Sequence, residues 1–114
     1  MESSTPAQFV EPVIFHKLSQ LYLAAHGRVS KFPKPSRYSL GIRTEQTVLE
    51  IMELCYAAQF KRSTRMVNLE SADIKVKMLH SHLRLAYKTK CLGDAGFAEL
   101  SELTVEIGKM LGGY

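Results

Sequence analysis

Cysteine is scarce in this 114-residue chain: Cys55 and Cys91 are its two thiols, set in apolar helical patterns with no CxxC spacing. The plain reading is a pair of buried thiols in a reducing cytosol, not a disulfide or a metal site. Long apolar runs are missing too. No stretch approaches 18 uninterrupted apolar residues, and the N-terminus lacks the basic and apolar regions of a secretory signal. The expectation is a soluble cytoplasmic protein with no membrane partner. There is no low-complexity run, and no alternation of period two lasts long enough to make a strand.

Several kinds of site chemistry are absent as well. Di-iron bundles use Glu-x-x-His pairs, because positions i and i+3 point the same way into a core. The residues three before His16, His26, His80 and His82 are Val13, Leu23, Lys77 and Leu79, so no such pair exists. His80 and His82, two apart, point to roughly opposite sides of a helix and do not suit one metal. No phosphate-binding glycine loop opens a helix, since Gly112 and Gly113 close the chain. No serine or cysteine has a recognisable base motif nearby. No catalytic residue, metal or cofactor is expected, and the protein is not expected to be an enzyme.

What remains is helical. At 12.8 kDa the chain suits one domain, with a single core near the size where oligomerisation helps. Residues 1–11 read as a flexible tail, and 12–114 as one domain. From Pro12, the residues Ile14, Leu18, Leu21, Ala25, Val29 and Phe32 keep helical spacing. Pro33 and Pro35 are expected to stop that helix, and Ser36 to cap a second running to about Arg62. Ser63 or Asn68 caps the third helix, whose seam is apolar at 69, 72, 76, 79, 83 and 86. Gly93 is expected to end it and Asp94 to cap the fourth, with seam Phe97, Leu100, Thr104, Ile107 and Leu111. Gly108, inside that helix, suggests close approach by a neighbour, because glycine there costs about 1 kcal/mol relative to alanine. An all-α, antiparallel up-down-up-down four-helix bundle follows.

Two features exceed what one core needs. On the second helix Val48, Ile51, Cys55 and Ala58 form one stripe, and Leu49, Met52, Tyr56 and Phe60 another. On the third, Ile74, Met78 and Leu85 make a stripe apart from the seam. Doubled stripes point to a subunit interface. Charge is uneven as well. The net charge is +4, yet Arg28 to Arg43 holds five basic residues and no acid, and the fourth helix is mainly acidic. Lys77, Ser81, Arg84 and Lys88 fall on one line of the third helix at about 100° per residue. The run Lys31, Lys34, Arg37 and Arg43 reads either as a solvated loop and first turn or as a phosphate-facing edge, and the few tenths of a kcal/mol by which arginine near a helix start opposes the dipole weigh toward the edge.

The segment FPKPSRYSLGIRTEQTVLEIMELCYAA and the ending LSELTVEIGKMLGGY resemble a known four-helix-bundle family. It includes the accessory variability determinant (Avd) proteins of diversity-generating retroelements and the bundle proteins of rRNA intervening sequences. The similarity covers about residues 12–114. It is most specific at Phe32, Pro33, Lys34, Arg37, Leu40, Gly41 and Arg43, in the run Leu49–Leu54, and from Glu106 to Tyr114, the aromatic that often follows the two glycines. The resemblance implies a non-enzymatic accessory protein that forms a homopentameric barrel. It also implies binding of a reverse transcriptase and its template RNA or cDNA, in support of mutagenic cDNA synthesis. Lys34, Arg37 and Arg43 carry the implied basic surface, and helix geometry adds Arg84 and Lys88. Leu49, Met52, Tyr56, Ile74, Met78 and Leu85 are the expected oligomer interface. The alternatives are an intervening-sequence bundle protein of unstated role, or a helical protein-interaction module without nucleic acid.

Overall fold

The computed structural model describes residues 12–112 and holds, among them, four long helices and no strand. They are α1 (Val13–Val29), α2 (Ile42–Phe60), α3 (Arg65–Lys88) and α4 (Asp94–Leu111). The expected tail over 1–11, Gly113 and Tyr114 lie outside the described residues. Helix α1 packs on α2 and α4, α3 packs on the same two, and the α2–α3 contact is the most extensive. The apolar spacing of each helix supplies the core: Leu18 and Leu21, Val48 and Ile51, Leu79 and Leu83, Leu100 and Ile107 are fully buried. Each such side chain contributes roughly 1.5–3 kcal/mol.

Three threonines are the buried polar side chains of this core. The hydroxyls of Thr44, Thr47 and Thr104 donate to the carbonyls of Leu40, Arg43 and Leu100, four residues back, at 2.7 to 2.8 Å. Each threonine thereby satisfies itself within its own helix. Cys55 is buried, and burial pushes its thiol up to about 11. Cys91 is half-buried, and both thiols are free.

The junctions depart from expectation. Helix α1 already ends at Val29, four residues before Pro33, and Phe32 is buried beyond it. The prolines therefore open the next helical segment and do not stop the previous one. Pro33 is its N-cap and Pro35 lies in the first turn, where a missing N–H leaves nothing unpaired. Ser36 makes no capping bond and lies inside that turn, Lys34–Ser36. The turn continues through a π-helical segment, Arg37–Gly41, into α2. The Ile42 N–H donates five residues back to the Arg37 carbonyl, and the Ser39 hydroxyl donates to the Pro35 carbonyl at 3.0 Å. Gly41 is buried, and a Cβ there would lie 2.6 Å from Val29 Cγ1, so the wide turn needs glycine to sit against α1.

Helix α2 ends at Phe60, and a 3-10 turn, Arg62–Thr64, leads to α3. Neither Ser63 nor Asn68 caps α3: Thr64 is its N-cap, without a side-chain capping bond, and the Asn68 amide donates to the Thr64 hydroxyl at 3.1 Å. Arg65 reaches back, Nε to the Ala58 carbonyl at 2.7 Å and Nη2 to the Gln59 carbonyl at 3.3 Å. Those are terminal carbonyls of α2, which a cation suits. Helix α3 is ended by Lys90 and not by Gly93. Lys90 has φ 66, its N–H donates to Tyr87 O, and the Cys91 N–H donates to Ala86 O, a Schellman arrangement with lysine in glycine's usual place. Gly93 is instead the N-cap of α4, and Asp94 sits in the first turn, where its carboxylate accepts from the Tyr87 hydroxyl. At Gly108 the neighbour is Val76 on α3, 3.5 Å from where a Cβ would be, so the helices touch at ordinary distance and a methyl group fits.

Candidate nucleic-acid interface

Four of the lysines and arginines are engaged along the flanks of the bundle. Lys17 pairs with Glu106 at 3.2 Å, Arg28 with Glu99 at 3.1 Å, Lys75 with Glu50 at 3.0 Å, and Lys77 with Asp73. Lys77 is thus drawn out of the basic line anticipated on α3. Lys31, Lys34, Arg43, Lys88 and Lys90 are exposed and have no ion-pair partner among the described residues.

Lys34 opens the helical turn after α1. Arg43 lies on the first turn of α2. One turn on, the Thr47 hydroxyl comes within 3.5 Å of His82 Nδ1, which sets the start of α2 beside the last third of α3. His82 feels Arg43 directly. Burial lowers its pKa first, the Arg43 and Lys75 charges lower it further, and Glu50 opposes them. Arg84 lies two residues beyond His82, exposed, with Nη2 donating to the Ser81 hydroxyl at 3.3 Å. Its charge, after burial, lowers the pKa of His80. Lys88 is exposed at the last position of α3. Arg43 and Lys88 therefore lie where α2 begins and α3 ends, Arg84 stands near that end beside His80 on the side of α3 that meets α4, and the segment carrying Lys34 and Arg37 leads into that place.

Arg37 differs from the other four. It is half-buried, and its Nη2 donates to the Phe32 carbonyl at 3.3 Å, closing the turn it sits on. Its Nε is buried with no acceptor among the described residues. The arginine holds the junction together and keeps one donor unmet.

Among the expected interface residues, Ile74, Leu85 and Leu49 are exposed by 58%, 51% and 43%, and Met52 and Met78 are half-buried. Leu49, Met52 and Tyr56 share one recess of about 500 Å³ on α2, with Gln46, Glu50 and Glu53. The residues from α3 do not line it. Met52 also packs on the core, and the Tyr56 ring stacks on buried Phe15 with centroids 4.1 Å apart.

At the basic end Gly41 belongs to the family pattern while its structural role is not local, and Lys90 and Tyr38 carry no signal that sets them apart. Gly41 was visible as a glycine just ahead of a long apolar pattern, but its contact with Val29 is tertiary. Lys90 gives no signal, because lysine is not a residue associated with the left-handed conformation. Tyr38 sits inside the basic stretch and reads there as ordinary surface. Among the described residues no group of three or more His, Cys, Asp or Glu is placed to hold a metal, and no helix is long and apolar enough to cross a membrane.

A family model described as bAvd-like matches residues 12–114. No curated protein and no solved structure gives a match.

Proposed function

Because the chain belongs to the bAvd-like family, we propose that it is a non-enzymatic accessory protein of a diversity-generating retroelement. In this role it binds the element's reverse transcriptase together with template RNA or cDNA, in the cytoplasm. The observation that carries the proposal is the gathering of exposed, unpaired cations where α2 begins and α3 ends, while flank cations are neutralised by ion pairs. Phosphates bind such a surface through counterion release and without regard to base sequence.

The bundle runs up-down-up-down as one domain over 12–114. The pairs Lys17–Glu106 and Arg28–Glu99, which match early α1 to late α4 and late α1 to early α4, support that order. Exposed Leu49, Ile74 and Leu85 support self-assembly, with a homopentamer as the family's form. A pentamer repeats the basic end five times and raises affinity by multivalency.

The test is a gel shift of structured RNA at about 50 mM salt, with release as salt rises. Light scattering on the same sample should give several times 12.8 kDa. Absence of binding would leave a helical protein-interaction module as the reading.

A further inference from the structure

Eight aromatic residues are described, and seven are accounted for. Phe15, Tyr56 and Phe60 stack in series, Tyr22 stacks on His26, Tyr87 stacks on Phe97, and Phe32 is buried in the core. Tyr38 stands apart. It is 63% exposed, and among the described residues its ring and hydroxyl have no stacking or hydrogen-bond partner. It is also presented by backbone built for display: the π-helical Arg37–Gly41 segment is pinned against α1 through Gly41 and Val29. Such π turns are frequent at functional sites. A recess of about 230 Å³ opens beside the ring, walled by Val29, Ile42 and Arg37. Arg37 is the residue whose buried Nε lacks an acceptor. The acid of this recess, Glu45, is already engaged by His26 at 3.0 Å.

We infer that Tyr38 is a stacking platform for an unpaired base, which makes the junction between α1 and α2 a site for single-stranded nucleic acid. An exposed ring inside a cationic surface is the arrangement that binds single strands, because every base offers a π face once it leaves the duplex. A duplex keeps its bases stacked on one another and presents only phosphate to the neighbouring Lys34 and Arg43. The recess gives room beside the ring, walled in part by the Arg37 side chain. The inference rests on the nucleic-acid reading above and adds the strand state that the site selects.

The test is fluorescence anisotropy on the full chain at about 50 mM salt, using a labelled RNA without self-complementarity and the same RNA annealed to its complement. Tyr38→Ala should weaken single-strand binding by roughly five- to a hundredfold and leave the duplex within about twofold. Tyr38→Phe should bind like the parent, and Arg43→Ala should weaken both forms. The chain has no tryptophan, so Tyr38→Trp installs one indole whose emission the single strand should quench and the duplex should not. If the parent binds neither form, the nucleic-acid reading falls, and this inference falls with it. If the parent binds but Tyr38→Ala keeps single-strand affinity, or loses both forms equally with helicity intact, this inference alone is overturned. An unquenched indole in a variant that binds overturns it as well.

Discussion

Between Lys31 and Gly41 the chain buries Phe32 and Gly41, closes a carbonyl with Arg37 and winds into a π turn. Between Lys61 and Thr64, at the far end of α2, every residue is exposed, and the join is held from outside by Arg65. Both junctions are basic, and both use one arginine on carbonyls. They differ in what lies beneath. The first is anchored in the core, so its exposed side chains project from a fixed backbone. The second is a solvated hairpin. Equal charge on the two therefore does not mean equal capacity to hold a ligand, because an ordered site loses less entropy on binding.

The largest test of this contrast is Gly41→Ala. A methyl group 2.6 Å from Val29 Cγ1 forces the buried α1 contact to shift, which should cost about 1–3 kcal/mol. Ser63→Ala in the exposed junction should stay within about 0.5 kcal/mol, with urea midpoints as the measure for both. Equal effects would erase the distinction.

Next comes binding. Arg43→Ala should reduce the log–log salt slope by one contact, near 0.7 to 0.9, whereas Arg62→Ala should leave it unchanged. A similar loss from Arg62→Ala would show that charge alone decides.

The junction between α3 and α4 extends the comparison. Lys90 holds a left-handed φ of 66 that costs a lysine about 1 kcal/mol. Lys90→Gly should raise stability by up to about that amount, less the extra freedom glycine gives the unfolded chain, as read by thermal melting.

A smaller effect follows pH. His80 and His82 are held below their ordinary 6.5, by burial first and then by Arg84 and Arg43 respectively. At pH well above 6.5 neither the folded nor the unfolded chain carries these protons. As pH falls through 6.5 the unfolded chain takes them up first, so stability should drop. His82→Gln should make that decline shallower in denaturant titrations at successive pH values. A profile as steep as the parent's would remove His82 from the account.

Most of the core was legible because burial leaves a period. The four seams and the second stripe on α2 can be counted along the chain, and most buried residues fall on those seams, although Phe15, Leu92 and Leu103 are buried off them and Ile14, Leu69 and Phe97 are only half-buried. The family was legible from short motifs. The junctions were not, because their ends depend on contacts distant in sequence or on rare backbone. Pro33 looked like a stop only because nothing local shows that α1 has already closed at Val29. Lys90 replaces an expected glycine, Thr64 stands where Ser63 or Asn68 was expected as a cap, and Arg65 closes the end of α2. The candidate site was half legible. Its charge is plain in the composition, but the ion pair that withdraws Lys77 and the ring exposed at Tyr38 require three dimensions.

The π segment also bears on chain length. Its Ile42-to-Arg37 bond encloses one more residue than an α-helical bond would. The wide turn takes up that residue within roughly one turn, so deleting Ser39 would let the backbone relax to ordinary helix, in which the remaining residues at about 100° each complete nearly the same rotation. Lys34 and Phe32 would keep nearly their present faces. The extra residue is therefore one that the junction carries without changing the phase between α1 and α2. Its removal should leave the bundle folded and take away only the widened backbone on which Tyr38 stands.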